Sequence, residues 1–473
     1  MIKNPSKLPL NRNSNDILKI LNEGMISSNS SLHLKKYILK NKIHFPSSEI
    51  DLKEFNNVFL IAVGKSAGVM SEYVSKKIKF KNGIIVVPKG ITPKLNKNIF
   101  EIINAGHPLP NHNSLKAGKK LVNFLKKTEQ NDFVLFLISG GGSALSVYPN
   151  SISLTDKILV NEELIRSGAN INEISCVRKH LSLIKGGQLI KNMNCNGTSL
   201  LVSDVIGDDI GSISSGMTFY DKSTFADALK IIKKFSLQHK FPNQALDILK
   251  SGVNGDIPET PKKAIIKNTI ILNNFSCLLK MKQKSKKLGY KTELISNITG
   301  NLDEVTKMLA SKAITSKNNC IIFGGEPTVN VMGDGKGGRN QELVLRLYEK
   351  LKNKKSIFTF ASIGTDGIDG NTKFIYQGDA CFDPSKGESF TAEFTPSVGH
   401  TLHFKPKSGS ATIMCLDYTK FDKDYGMAYC TPTTEDAGCH NFNKPNMTSA
   451  NPIHSETNPS LIQIYVNFVK FIN

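Results

Sequence analysis

The chain has 473 residues, more than one hydrophobic core usually supports, so we expect two domains. Its composition, 39% hydrophobic and 21% charged, is typical of a globular, water-soluble protein. The apolar run FVLFLI at 133–138 is far too short to span a bilayer, which argues against a membrane protein.

The net charge of +21 raises the question of nucleic-acid binding. Only five of the 61 basic residues are arginines, whereas recognition of bases and phosphates relies on the planar guanidinium group. The excess is lysine, with no basic run interleaved with aromatic residues. We therefore favour solvated lysines and expect no nucleic-acid partner, while anionic small substrates remain compatible with the charge.

Two features indicate a reducing compartment. The first residues, MIKNPSKLPLNRNSND, lack the apolar segment of a signal peptide. The eight cysteines include no C-x-x-C pair and no structural-zinc spacing. We expect a cytoplasmic protein without a membrane partner, and the sequence leaves a homodimer open.

Apolar strands and amphipathic helices alternate along the chain, which predicts an α/β fold with a mostly parallel sheet. In such a sheet, ligand sites lie at the carboxyl ends of the strands. The segment PETPKKAIIK, 258–267, reads as a link and places a domain boundary near residue 260. Predicted strands lie in 57–64, 82–90, 132–143, 198–209, 268–274, 320–332 and 356–370, and predicted helices in 65–80, 113–128, 274–288 and from Arg339.

The first strand-to-helix corner is VGKSAGVM, 63–70. Gly64 permits a tight turn, and Lys65 then stands at a helix N-terminus, where the helix dipole opposes a cation by about 0.3–1 kcal/mol. A lysine in this place is favourable if an anion lies in front of it. The alternative is a lysine that merely extends into solvent.

The second corner is LISGGGSALS, 137–146. Consecutive glycines at 140–142 let backbone N–H groups converge on an anion, and Ser139 and Ser143 add hydroxyl donors. The pattern is not a Walker A loop, because no G-K-[ST] follows. It predicts a phosphate-binding corner, with an ordinary tight turn as the alternative.

The third corner, SDVIGDDIGSISSG at 203–216, carries Asp204, Asp208 and Asp209. Carboxylates beside a phosphate-binding loop suit a Mg²⁺ ion or a general base. A turn rich in Asp and Gly is the alternative.

The fourth corner, GDGKGGRNQE at 333–342, imitates a dinucleotide-binding turn, because Gly333, Gly335 and Gly338 have G-x-G-x-x-G spacing. A ribose-binding acid should follow about 20 residues later. Position 358 is Phe358, and the next acid is Asp366. The glycines therefore fit better with a phosphate that faces Lys336 and Arg339.

Eight motifs follow one another along the chain: VGKSAGVM, NAGHPLP, LISGGGSAL, VRKHLSLIKGGQL, SDVIGDDIGSISSG, GGEPTV, GGRNQE and GTDGIDG. They occur in the order found in glycerate 2-kinases. Through these motifs the chain resembles the glycerate kinase type II family between about residues 15 and 374. The resemblance implies a Rossmann-like, mostly parallel α/β domain at 1–260, a second, smaller α/β domain at 268–374, and a cleft between them. It implies transfer of the γ-phosphate of ATP to D-glycerate, with Mg²⁺. Some family members carry the label hydroxypyruvate reductase, so an NAD(P)H-dependent reductase is the alternative.

The resemblance also implies roles for individual residues. Lys65 and Arg339 would stabilise charge on the transferring phosphoryl group. Asp204 or Asp208 would coordinate Mg²⁺ or accept the proton of the glycerate hydroxyl. His180 fits a substrate contact or a structural hydrogen bond, and Asp366 and Asp369 would line the second domain's corners. Further candidates are Gly64, Ser66, Ser139, Gly140, Gly141, Gly142, Ser143, Gly338 and Asn340 for nucleotide or phosphate, His107, Arg178, Lys179 and Glu342 for substrate, and Asp208 and Glu326 for metal.

The family likeness stops after about Phe374. Residues 371–473 hold 8 Lys, no Arg and 10 Asp and Glu, and four of the eight cysteines lie there. We expect an atypical tail over 375–473, with short strands in FTAEFTPSVGHTLHF and ATIMCLDY. If the family's final elements close the cleft behind Arg339, their loss would leave the enzyme weakened or inactive.

Overall fold

The computed structural model of the chain describes residues 12–191, 193–316, 320–329, 338–351 and 358–364, and the backbone of short strands beyond them. The chain divides into two compact units. The N-terminal unit is Ser30–Leu272, and the C-terminal unit combines the segment up to Asn29 with the chain from Asn273 onward.

Helices are distributed over both units. They are α1 Arg12–Ser27, α2 Ser30–Leu34, α3 Ala67–Val74, α4 His112–Leu125, α5 Gly142–Leu145, α6 Leu154–Arg166, α7 Ile171–His180, α8 Phe225–Lys234, α9 Asn243–Asn254, α10 Asn274–Lys287, α11 Leu302–Thr315 and α12 Arg339–Leu351. None of the helices in the described residues combines the length and apolar character that crossing a bilayer requires.

Strands form the sheets of both units. They are β1 Ile38–Leu39, β2 Lys42–Phe45, β3 Ser48–Asp51, β4 Asn57–Val63, β5 Asn82–Pro88, β6 Phe100–Ala105, β7 Asp132–Ile138, β8 Asn196–Val202, β9 Lys267–Leu272, β10 Thr292–Ile298, β11 Cys320–Gly325, β12 Phe358–Gly364, β13 Phe390–Glu393, β14 Thr401–Phe404, β15 Ala411–Cys415, β16 Tyr429–Cys430, β17 Cys439–His440 and β18 Tyr465–Asn467.

A six-stranded sheet forms the centre of the N-terminal unit, in the order β6-β5-β4-β7-β8-β9. Every neighbouring pair in it is parallel. Counted from β4, this order is 3-2-1-4-5-6, which is the Rossmann order. The predicted fold class is confirmed, and the order reverses between β4 and β7.

The apolar strands explain why this sheet lies at the centre. All seven residues of β7 and six of the seven in β4 are buried. Strands of a parallel sheet are covered on both faces by crossover helices, which favours continuous apolar runs over alternation. Ile61, Val134 and Phe136 belong to a buried cluster that also takes Leu121 from α4.

A second sheet, in the order β10-β11-β18-β12-β15, belongs to the C-terminal unit. Strands β10 and β11 are parallel, and β18 runs antiparallel to both β11 and β12. Helices α11 and α12 cover a buried cluster that includes Leu309, Phe323 and Leu347. The short strands expected in the tail occur as β13, β14 and β15.

The division of the chain differs from the expected one at two places. Strand β9 pairs with β8, from Thr198↔Lys267 to Val202↔Leu272, so it completes the first sheet instead of opening the second domain. Helix α1 packs with α10 and belongs to the C-terminal unit. Tertiary contacts decide which of two sheets a strand joins, and the sequence pattern around residue 260 carries no information about those contacts.

Candidate phosphate-binding site

Two chain corners lie side by side where the strand order reverses. Strand β4 ends at Val63 and β7 ends at Ile138, and these two residues are paired in register. Ligands of such sheets bind outside the carboxyl ends of the strands at this reversal. The segments that follow are 64–66 and 139–143, so the structure brings the first two predicted corners together.

Backbone and hydroxyl hydrogen bonds fix these corners against each other. The Lys65 N–H donates to the Gly140 carbonyl oxygen at 2.9 Å, and the Ser66 N–H donates to Ser139 Oγ at 3.0 Å. From the third corner, Ser214 Oγ donates to the Ser139 carbonyl oxygen at 2.7 Å. Hydrogen bonds therefore join three separate loops into one platform.

Gly64 makes this close approach possible. Its φ is +134°, and a Cβ at this position would lie 2.4 Å from the Ser139 carbonyl oxygen and 2.2 Å from Ser139 Oγ. Real Cβ atoms do not approach backbone this closely, so only glycine fits between β4 and the second corner.

Three of the predicted site residues lie against the glycines of the second corner. A Cβ on Gly140 would overlap the Asp204 carboxylate, at 1.8 Å from Oδ2. A Cβ on Gly141 would lie 3.0 Å from His107 Cδ2 and 3.2 Å from Lys65 Cγ. Asp204 follows β8 and His107 follows β6, so four strand ends deliver one cluster.

His107 is neutral in this cluster at pH 7. Desolvation of the ring by neighbouring atoms, and then the nearby positive charge of Lys65, lower the pKa of His107 from 6.5 to about 4, although the residue as a whole is exposed. A neutral imidazole offers a hydrogen bond to a ligand but no charge to its carboxylate.

The Ser143 end of the corner contains residues that the sequence interpretation missed. Ser143 Oγ lies 2.7 Å from Ser215 Oγ. Lys185 Nζ donates to the Ser143 carbonyl oxygen at 3.1 Å and to Ser215 Oγ at 3.3 Å. Ser215 lies in the motif GSISSG and Lys185 in the motif IKGGQ. No local sequence rule predicts the contact between Lys185 and Ser143, because these residues are 42 positions apart.

The basic trio on α7 divides into two groups. Lys179 is buried and its Nζ lies 3.3 Å from Asp221 Oδ1. His180 Nδ1 lies 2.8 Å from the Cys176 carbonyl oxygen, and Nε2 lies 3.3 Å from Glu259 Oε2. These contacts favour the structural hydrogen bond for His180 and give Lys179 a partner inside the protein, whereas Arg178 has no carboxylate partner among the described residues.

The acidic candidates of the third corner are held by its turn geometry. Asp208 has φ +57° and lines, with Asp209 and Lys179, a cavity of about 490 Å³. Asp209 accepts hydrogen bonds from the Gly211 N–H and Ser212 Oγ, as an Asp in a turn does. In the described part of the chain, no three His, Cys, Asp or Glu side chains come together as a metal site.

The fourth corner belongs to the C-terminal unit. Arg339 starts α12, and its Nη1 donates to Glu326 Oε1 at 3.0 Å and to the Pro327 carbonyl oxygen at 3.1 Å. The predicted metal ligand Glu326 is thus ion-paired with the predicted catalytic arginine.

The remaining candidates of this corner have partners within the same unit. Asn340 is buried and accepts a hydrogen bond from Ser362 Oγ at 2.6 Å, and the Gly338 carbonyl oxygen accepts the Glu342 N–H. Glu342 Oε1 accepts from Arg346 Nε at 2.6 Å. The predicted residues Gly333, Gly335, Lys336, Asp366 and Asp369 lie outside the described residues.

Fold and site together define a Rossmann-type α/β protein with a platform of glycine and serine loops at the reversal of its sheet. Residues 16–250 match a domain of unknown function, DUF4147, and residues 319–384 match the MOFRL family, so the likeness extends past 374. The chain is 33% identical to a glycerate 2-kinase of Pyrococcus horikoshii, over 70% of this chain and 77% of that protein. It belongs to the glycerate kinase type II family.

One solved structure has a similar fold, and one further relative carries the name of the alternative activity. The crystal structure of a glycerate kinase from Thermotoga maritima superposes with a TM-score of 0.65 at 30% identity, covering 77% of this chain and 85% of that one. A protein of Agrobacterium vitis named putative hydroxypyruvate reductase is 34% identical, over 66% of this chain and 73% of that protein.

Substitution of Gly64 tests the contact between the first two corners. We expect Gly64→Ala to lower the free energy of unfolding by about 2–5 kcal/mol, because strain at positive φ adds to overlap with Ser139. Gly90→Ala is the control: its φ is +91° with nothing within 4 Å, so only backbone strain of about 1–2 kcal/mol remains. Urea unfolding of both variants measures the difference, and equal losses would contradict the contact.

The neutral state of His107 predicts a pH dependence. The folded-state pKa lies below the ordinary value, so the unfolded chain binds the proton more readily between about pH 4 and 6.5. The stability that depends on the neutral ring is complete above pH 6.5 and is lost as the pH falls toward 4. NMR titration of the His107 ring should give a value near 4, and Lys65→Met should raise it only partly, because burial is the larger cause. A midpoint near 6.5 in the folded protein would refute the assignment.

Proposed function

We propose that this protein is a glycerate 2-kinase that transfers the γ-phosphoryl group of ATP to D-glycerate and yields 2-phosphoglycerate and ADP. The names of the relatives support the reaction. The observation that carries the proposal is the platform at the sheet reversal, where Lys65 and Asp204 lie against a glycine corner.

The chemistry of phosphoryl transfer matches these groups. Negative charge spreads over the oxygens of the transferring group, so catalysis consists mainly of positioning and of electrostatic stabilisation. Lys65 supplies a positive charge at the start of α3. The Ser66 hydroxyl is buried and has no hydrogen-bond partner among the described residues, and a phosphate oxygen would satisfy it.

Asp204 is the candidate for two roles. As a base it would accept the proton of the attacking glycerate hydroxyl, and as a metal ligand it would hold Mg²⁺. Protein sites bind Mg²⁺ through one or two carboxylates plus substrate phosphates, and a single carboxylate beside Gly140 fits that pattern. The bound ion would neutralise charge on the phosphates.

Arg339 is proposed as the second cation. Its guanidinium carries five donors, and an arginine that pairs with one carboxylate can exchange that partner for a phosphate oxygen. The ion pair with Glu326 would then hold the side chain ready in the absence of the nucleotide.

A reductase acting on hydroxypyruvate is the second candidate, favoured by the Rossmann strand order and by the name of the Agrobacterium vitis relative. The turn after β4 argues against it. A dinucleotide turn needs glycine at three positions, and Gly64, Ser66 and Val69 occupy them here. We also propose that the protein is cytoplasmic, and a homodimer is compatible with its sequence.

A paired assay on one preparation tests the function. We expect ADP to form when ATP, Mg²⁺ and D-glycerate are mixed, and ³¹P NMR to place the phosphate on the 2-hydroxyl. Omission of D-glycerate is the control for background ATP hydrolysis. Oxidation of NADH by hydroxypyruvate without ATP-dependent turnover would overturn the proposal in favour of the reductase.

Removal of either proposed cation should slow the chemical step. We expect Lys65→Ala and Arg339→Ala each to lower kcat by about 10²-fold or more, a loss of roughly 3 kcal/mol in transition-state stabilisation. Arg339→Lys should recover only part of the loss, because an ammonium group cannot make a bidentate contact. Lys76→Ala, an exposed lysine just beyond the other end of α3, is the control. Wild-type turnover in an alanine variant would remove that residue from the mechanism.

A further inference from the structure

Two serines and a lysine form a hydrogen-bonded chain at the end of the glycine corner. Ser143 Oγ lies 2.7 Å from Ser215 Oγ, and Lys185 Nζ lies 3.3 Å from the same Ser215 oxygen. The Lys185 amine also donates to the Ser143 carbonyl oxygen at 3.1 Å. The three residues come from three separate segments of the chain, so tertiary structure brings them within hydrogen-bond distance.

The backbone that carries Ser215 has an uncommon conformation. Ser214 and Ser215 have φ values of +49° and +59°, a region that residues other than glycine rarely adopt. The Gly186 N–H donates to the Ser215 carbonyl oxygen at 2.9 Å and fixes this backbone beside Lys185. Backbone of this kind persists only where the surrounding structure imposes it, and it is concentrated at functional sites.

The three side chains differ in their access to solvent. Lys185 is completely buried and Ser215 is 6% exposed, whereas Ser143 is half-buried. A molecule bound at the carboxyl edge of the sheet can therefore reach the Ser143 hydroxyl before the two groups behind it. Ser215 stands between this accessible hydroxyl and the buried amine.

The surroundings of Lys185 favour its neutral form. Burial lowers its pKa well below 10.5, and the positive charges of Arg178, Lys157 and Lys179 lower it further. No carboxylate in the described part of the chain forms an ion pair with it. A neutral amine keeps two N–H donors and gains a lone pair, which can accept the proton of a neighbouring hydroxyl.

We propose that Ser143 is the nucleophile of an ester-hydrolysing site, with Ser215 and Lys185 relaying its proton. A serine becomes a nucleophile when a base within hydrogen-bond reach takes its proton, and some serine hydrolases use a lysine as that base. This activity goes beyond the proposed phosphoryl transfer and requires neither ATP nor glycerate.

The reaction balances with water as the only co-substrate. Ser143 Oγ attacks the carbonyl carbon of the ester, its proton passes to Ser215 Oγ, and the proton of Ser215 passes to Lys185 Nζ. The bond between the carbonyl carbon and the alcohol oxygen then breaks, and the proton returns through Ser215 to the leaving alkoxide. Water cleaves the acyl–Ser143 bond through the same relay and releases the carboxylic acid.

The surroundings of Ser143 favour an ester of a small carboxylic acid. A Cβ on Gly141 would lie 3.0 Å from His107 Cδ2 and 3.2 Å from Lys65 Cγ, so the corner is closely lined two residues before the nucleophile. A short acyl group fits such a corner better than a long one. The positive charge of Lys65 also favours a carbonyl oxygen that becomes negative during the attack.

Covalent labelling of the full-length protein tests the nucleophile. We expect diisopropyl fluorophosphate to lose fluoride and form one adduct, located on Ser143 by peptide mass spectrometry. We also expect p-nitrophenyl acetate to be hydrolysed to acetate and p-nitrophenolate. Ser143→Ala should abolish both reactions. Ser146→Ala, which changes a buried serine at the end of the same corner, is the matched control and should react like the wild type.

Substitution of Lys185 tests the relay. We expect Lys185→Met to slow labelling by about 10²-fold or more, the usual contribution of a general base. Lys185→Arg keeps a positive charge and hydrogen-bond donors but cannot accept a proton, so it should label equally slowly. In the wild type, the labelling rate should follow one deprotonation and level off below pH 10.5, the ordinary lysine value. This pH profile decides the question if neither variant folds.

The contrary outcomes are distinct. Absence of an adduct on Ser143, or adducts spread over several exposed serines, overturns the nucleophile. An adduct on Ser143 without hydrolysis of p-nitrophenyl acetate overturns the esterase activity. Wild-type labelling in Lys185→Arg, or a labelling rate that still rises beyond pH 10.5, assigns Lys185 a structural role and overturns the relay.

Discussion

The site depends on the contact of two backbones at the reversal of the sheet. Parallel pairing of Val63 with Ile138 aligns the ends of β4 and β7, but alignment alone does not build a platform. The Ser66 N–H reaches Ser139 Oγ only because Gly64 has no side chain to occupy the space between the loops. The hydroxyl of Ser214 then fixes the same serine from the third corner. Lys65, His107 and Asp204 lie against Gly140 and Gly141, so this contact fixes the backbone around which they are arranged.

The buried lysines of the N-terminal unit differ in whether a carboxylate accompanies them. Where a cation serves the fold, an acid accompanies it, as Asp221 accompanies Lys179. Lys157 and Lys185 have no such acid among the described residues. Burial therefore lowers the pKa values of these two amines.

The sequence predicts the strands and the corners well, since continuous apolar runs and glycine clusters are local signals. Strands β4, β7 and β8 follow from such signals, and the rule that ligand sites lie at the carboxyl ends of parallel strands brings the loops after β4 and β7 to one edge of the sheet. The sequence does not predict which sheet β9 joins, because the apolar pattern of its six residues is compatible with a strand of either unit. Lys185 was missed for a similar reason: its partners Ser143 and Ser215 are distant in sequence, and a lysine carries no local mark of burial.

The strand order of the N-terminal unit is that of dinucleotide-binding proteins, yet the residues at its reversal point to different chemistry. A fold fixes where a ligand lies, and the side chains at that place decide which ligand it is. A pyrophosphate cradle of the dinucleotide type needs a third glycine so that helix and strand approach closely. Here that position is Val69, and Lys65 already stands beside the glycine corner. A cation at a helix start is unfavourable unless an anion lies in front of it, so the same crevice is better suited to a phosphoryl group in transfer than to a bound nicotinamide cofactor.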